Sequence, residues 1–161
     1  MTTWYHLVTS SESPDSVFYR HDYQKNWLLL DIDLTGLLAG RKAEGSEKGY
    51  FSGARNGRGR QVGRLYASQY DEIVSEELYP GKVQLEVSLL ELVDMAETVL
   101  DSDEYRRKRT ILRVDGGGGT DKNIDPLLLD GYGLLLKVKN WQRTHKLVKT
   151  VTIWHTLPEL P

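Results

Sequence analysis

Two aspartates are spaced so that chain geometry could bring them to one place. Asp33 lies in the apolar run WLLLDIDLT, which begins at Trp27, and Asp115 closes RTILRVD ahead of four glycines. Carboxylates at neighbouring strand ends suit a hard cation such as magnesium, which takes oxygen ligands and is often held by one or two carboxylates. Two such ions can activate the attacking oxygen and stabilise the leaving one in an in-line phosphodiester displacement. The plain alternative is that both aspartates cap turns, which is common at strand ends. Against it stands DIDLT, because two ionisable groups inside an apolar strand are costly unless paired or metal-bound. Side chains alternate along a strand, so Asp31 shares a face with Asp33 and is a third candidate ligand.

The glycines after Asp115 raise the question of a phosphate loop. A Walker-type loop needs Gly, four residues, then Gly-Lys-Ser/Thr, and GGGGTDK has no such lysine–hydroxyl pair. These glycines are expected to serve a turn in which backbone comes close to backbone. Charge supplies another signal. KGYFSGARNGRGRQVGR (48–64) carries Lys48, Arg55, Arg58, Arg60 and Arg64 with two aromatics and no acid. Arginine fits phosphate oxygens, and an aromatic can stack on a base. A second basic zone, KVKNWQRTHKLVK (137–149), begins with Lys137 and Lys139. Either zone could be only a solvated surface. Together, flanking a candidate magnesium site, they suggest a polyanion. His6, His21, His145 and His155 lack zinc-like spacing, and no serine sits in a Gly-x-Ser-x-Gly context.

Elements must position these groups. Residues 27–34 form one buried strand, and 62–68 with 71–78 form an antiparallel hairpin across Gln69-Tyr70. Ser88 and Glu91 have capping-box spacing. Behind them Leu89, Leu92, Val93, Ala96, Val99 and Leu100 make the apolar stripe of a helix. Strand TILRV leads to Asp115. A short helix is expected from Asp125-Pro126 to Gly131, followed by a buried strand at 133–139. The result is an α/β mixed sheet. Its long helix is a crossover that returns 110–114 parallel to an earlier strand. If that strand is 27–34, Asp33 and Asp115 become neighbours although 82 positions apart.

Bulk properties narrow the classes. The chain has 161 residues and net charge −2, so one domain is expected and overall charge selects no partner. With no cysteine, disulfides, thiolate metal sites and cysteine nucleophiles are excluded. No apolar run approaches the roughly 20 residues of a membrane span. The first residues lack a secretory pattern, so a cytoplasmic protein is expected.

The stretches WLLLDIDLTGLLAG…VGRLYAS, EELYPGKVQLEVSLLELVDMAETVL and RRKRTILRVDGGGGTDKNIDPLLLDGYGLLLKVKNW together resemble the catalytic domain of bacterial insertion-sequence transposases. That is the acidic-triad (DDE) class with a ribonuclease H-like fold. Asp33-Leu34-Thr35 matches the first catalytic aspartate, which precedes a threonine. Leu112-Arg113-Val114-Asp115-Gly116 matches the second, and KVKNW is also similar.

The resemblance implies magnesium or manganese held by Asp33 and Asp115, with DNA, both insertion-sequence ends and target, as partner. It also implies a nucleoid-associated location, with self-association a further expectation. Family members carry a DNA-end-binding region before the first aspartate and a catalytic glutamate on a downstream helix. Here only 26 residues precede Trp27. The one glutamate after Asp115 is Glu159, between prolines that oppose a helix. The expectation is therefore a leader at 1–26 and a partial catalytic domain at 27–161, truncated and inactive. Two alternatives stay open. One is a small nuclease using Asp31, Asp33 and Asp115; the other is a non-enzymatic nucleic-acid-binding module.

Overall fold

The computed structural model describes residues 27–49, 51, 57–137, 141–150 and 152. Among them six strands form one sheet. β1 (Leu28–Leu38) lies between β3 (Arg58–Ala67), antiparallel to it, and β5 (Thr110–Val114), parallel to it. β4 (Glu72–Pro80) and the two-residue β2 (Glu47–Lys48) both pair antiparallel with β3, and β6 (Gly133–Leu136) adds parallel to β5. Helices α1 (Leu85–Leu100), α2 (Glu104–Arg107) and α3 (Asp121–Leu129) connect these strands, and α4 is Trp141–Thr150. The expected mixed α/β sheet, with α1 as the crossover between the hairpin and β5, is the architecture found.

Alternation in the strands decides which face is covered. Leu28, Leu30 and Ile32 of β1, Leu65 and Ala67 of β3, and Leu112 and Val114 of β5 are buried in one cluster with α1. Burial of such side chains supplies about 1.5–3 kcal/mol each, before entropy is counted. The residues between them, Asp31 and Asp33 on β1 and Arg113 on β5, point to the other face. Glycine at 63 is needed for close packing, because a Cβ there would stand 2.7 Å from Leu92 Cδ1 and 2.8 Å from the Tyr79 ring.

Three local expectations are corrected. α1 begins a turn earlier than the Ser88–Glu91 spacing suggests. Its N-cap is Gln84 without a side-chain cap bond, and Ser88 is a buried residue inside the helix. The extra turn buries Leu85, one i+4 step before Leu89 on the same stripe, so packing outweighs the lost cap. α3 likewise starts at Asp121 after Thr120, leaving Pro126 inside it. Buried Asn123 pins that earlier start by donating to Glu86 O and Gly118 O, both at 3.1 Å. This offsets the one backbone donor that proline lacks. Last, β6 is shorter than the expected strand and is not buried. It lies at the sheet edge, with Leu135 57% exposed.

The basic run 106–109 does more than lead into β5, because it closes this end of the molecule. Arg106 Nη1 donates to Leu100 O at 2.5 Å and Asp101 O at 2.8 Å, serving the carbonyls left free at the end of α1. Arg107 Nη1 lies 3.7 Å from Glu97 Oε2, and the same glutamate accepts from the buried Tyr132 hydroxyl at 2.6 Å. Arg109 stacks 3.8 Å over the ring of Tyr105.

Candidate active site

The register of the parallel pair brings the acidic residues together. Asp31 is the partner of Arg113 and Ile32 the partner of Val114, so Asp33 and Asp115 stand one step beyond the last paired residues of β1 and β5. Both line a single open cleft of about 600 Å³ with Asp31, Arg113, Leu135 and Lys137. Asp33 accepts a hydrogen bond from Thr35 Oγ1 at 3.2 Å, and Asp115 Oδ1 accepts from Gly116 N at 2.6 Å. Each carboxylate therefore has one local donor to orient it and lone pairs left over.

Asp31 is differently placed. Its two oxygens accept from Arg113 Nε and, at 2.6 Å, from Arg113 Nη2, a bidentate pair across the two strands. The bond and charge of Asp31 raise the Arg113 pKa further above its ordinary value. The paired solution to the cost of an acid in DIDLT is the one adopted at Asp31. Arg113, which lines the same cleft, is not among the residues the sequence singles out. The signal was there, since Asp31 and Arg113 are separated by the same 82 positions as Asp33 and Asp115.

The glycine turn follows from contact rather than from unusual dihedrals. Gly118 N donates to Asp115 O at 3.0 Å. A Cβ at Gly119 would lie 2.7 Å from Lys137 O, and one at Gly118 would lie 2.7 Å from Val114 Cγ1. Among the described residues only Gly45 and Gly131 are glycines with positive φ. Gly118 thus lets the turn lie against Val114, and Gly119 lets it lie against the backbone of Lys137, whose side chain is exposed at the cleft.

The basic zone is more committed to the fold than its sequence suggests. Arg58 Nη1 donates to Ser46 O and Arg60 Nη2 to Leu78 O, both at 2.8 Å. Arg64, directly across β3 from Asp33, is paired with Glu76 at 2.6 Å. Lys48 is exposed on β2. Arg55 and Lys139 lie outside the described residues, as do the expected leader 1–26 and Glu159.

The donor set can be tested against a divalent ion. Asp33 and Asp115 offer carboxylate oxygens on the open sheet face, which suits a magnesium or manganese ion that keeps several waters. Among the described residues there is no group of three or more His, Cys, Asp or Glu that could hold an ion, so a closed cage is not built here. Nor is any described helix long and apolar enough to cross a membrane.

No protein-family model matches the chain, and no curated protein matches it. Among solved structures it is similar to a piggyBac transposase, seen by cryo-EM in a synaptic complex with hairpin DNA, with TM-score 0.52 and 17% identity. The match covers 79% of this chain and 26% of that one, so the chain spans about a quarter of that transposase. The likeness is one of fold, a mixed α/β sheet of the kind that protein contains.

Proposed function

We propose that this chain carries part of the catalytic core of a DNA transposase of the acidic-triad (DDE) class, of the bacterial insertion-sequence kind. The observation that carries the reading is the pair Asp33, inside β1, and Asp115, just past the end of β5, each one step beyond the last paired residues of these parallel neighbours and both in one open cleft. The sheet has a solved transposase as a structural likeness. In this reading Asp33 and Asp115 hold magnesium or manganese. When bound, such an ion polarises the phosphodiester and stabilises charge on the attacking and leaving oxygens.

The chain's own groups do the positioning. Thr35 and the Gly116 amide orient the two carboxylates. Lys137 places a cation at the cleft where a DNA phosphate would lie, while Lys48 is an exposed cation on β2 at the opposite edge of the sheet. DNA is the partner, in the cytoplasm and nucleoid of a bacterium, and self-association belongs to the same reading. The triad's third acid is missing in this reading, and among the described residues no third carboxylate completes a group with Asp33 and Asp115. In-line displacement depends on positioning both ions in register, so the isolated chain is expected to bind DNA without cutting or joining it.

Incubation of the purified chain with supercoiled plasmid and magnesium or manganese, beside Asp33→Asn, tests this. Retarded but intact plasmid with both proteins is the expected result. Nicking by the wild type that disappears in Asp33→Asn would replace the proposal with a self-sufficient small nuclease of the same fold. DNA binding unaffected by loss of Asp33 and Asp115, with no metal bound at all, would leave only a nucleic-acid-binding module.

A further inference from the structure

Arg113 leaves β5 on the same face as Asp115, two residues before it, and lines the cleft with both proposed metal-binding aspartates. Two residues of strand span roughly 6.6 Å, so the guanidinium stands a short step from the carboxylate pair. A guanidinium has five N–H donors, and Asp31 engages its Nε and one Nη. The Arg113 side chain is 51% exposed while that of Asp31 is 21% exposed, so the free donors lie on the solvent side. Ion pairs this exposed add little to stability. What the bidentate geometry supplies is orientation, because a carboxylate holding one edge of a planar fork fixes where the opposite edge points.

We propose that Arg113 is a phosphate-contacting residue of this cleft and that Asp31 is its positioning partner rather than a metal ligand. The inference rests on the DNA reading above. The phosphate it meets lies beside the one placed at Asp33 and Asp115, since all three residues line one cleft. The side chain acts at contact range, since Asp31 cancels its charge at a distance. Directed donors select a backbone position, whereas Lys137 at the cleft provides undirected attraction.

Binding of a short fluorescein-labelled DNA duplex and of its single strand, followed by anisotropy over a salt series in EDTA, separates direction from charge. Arg113→Ala should weaken binding by about 5- to 10-fold and lower the slope of log affinity against log salt by about 0.7–0.9, the value of one phosphate contact. Arg113→Lys keeps the charge and loses the fork, so it should weaken binding nearly as much. Asp31→Asn adds net positive charge to the cleft. If Asp31 only neutralised the arginine, this variant would bind DNA more tightly; as a positioning partner its loss should weaken binding.

Two readouts are independent of affinity. In the wild type, the Arg113 Nε–H resonance should shift on DNA addition yet stay protected, because Nε remains on Asp31. Manganese-induced broadening near Asp33 and Asp115 should persist in Asp31→Asn. Tighter binding by Asp31→Asn, unchanged binding by Arg113→Lys, or loss of the manganese effect in Asp31→Asn would each overturn the proposal while leaving DNA binding at the cleft intact. A wild type that binds no DNA would overturn both readings together.

Discussion

Three aspartates on one sheet face meet three different neighbours, and this decides what each can do. Asp31 faces an arginine in register, Asp33 a threonine hydroxyl, and Asp115 the amide of the next residue. The last two retain the capacity to take a cation. Manganese added to labelled protein should therefore broaden the amides flanking Asp33 and Asp115 first, and Asp115→Asn should abolish that pattern. The same broadening in the variant would put the ion elsewhere. At the far end of the sheet Tyr132 gives a pH signature. Burial, and then its bond to Glu97, raise the Tyr132 pKa well above the usual phenol value. Below pH 10 both folded and unfolded tyrosine hold the proton, and stability is unaffected. Above it the unfolded state loses the proton first, so stability should fall by up to about 1.4 kcal/mol per pH unit from this group. Tyr132→Phe should lose a hydrogen bond worth about 1 kcal/mol at neutral pH. Its unfolding midpoint should decline less than the wild type's in denaturant melts above pH 10.

The elements show where patterns in the text give way to packing. The strands around Asp33 and Asp115, the hairpin and the apolar stripe of α1 were legible, because each has a periodicity that only one covered face satisfies. The starts of α1 and α3 were not, since Leu85 and Asn123 gain their partners from distant segments. Arg58, Arg60 and Arg64 looked like free cations, and no local signal announces that a carbonyl or a glutamate across the sheet will engage them. At the glycine turn the text gave four equal letters and the structure makes them unequal. Gly119→Ala pushes a Cβ against the Lys137 carbonyl and should cost about 1–3 kcal/mol, as overpacking does. A Cβ at Gly117 would meet only Leu85 Cβ, at 3.7 Å. Gly117→Ala should therefore be neutral or stabilise by about 0.4–1 kcal/mol through the unfolded chain. Equal melting shifts in the two variants would refute the close-approach account.

At the scale of the molecule, one face of the sheet is sealed by α1 and the other carries the charged residues of the cleft. A chain with net charge −2 has no general attraction for DNA, so the proposed binding must come from placed cations. Affinity for a duplex should fall steeply with salt and vary little with sequence. Lys137→Glu should weaken it by about tenfold or more, the effect of replacing an attraction with a repulsion near one phosphate. Arg58→Ala should instead lower thermal stability and leave affinity within about twofold, since Arg58 is engaged by Ser46 O. The reverse pattern would mean that DNA lies on the hairpin and not at the cleft.

The pairing of β1 with β5 also dictates an order of events in time. Leu28 finds Thr110 only after the intervening chain has been made, whereas β3 meets β4 through a tight turn. Contacts so distant in sequence form slowly, because loop closure comes before any reward. Until then β1 holds β3 on one side and presents an unpaired apolar edge on the other, the kind of edge that recruits a second chain. Pulse-labelled hydrogen exchange during refolding should protect β4 and α1 amides before those of Leu28, Leu30 and Leu112. The yield should drop with protein concentration in that same interval. The face that bears the cleft is thus assembled last, by the joining of the two strands that bring Asp33 and Asp115 together.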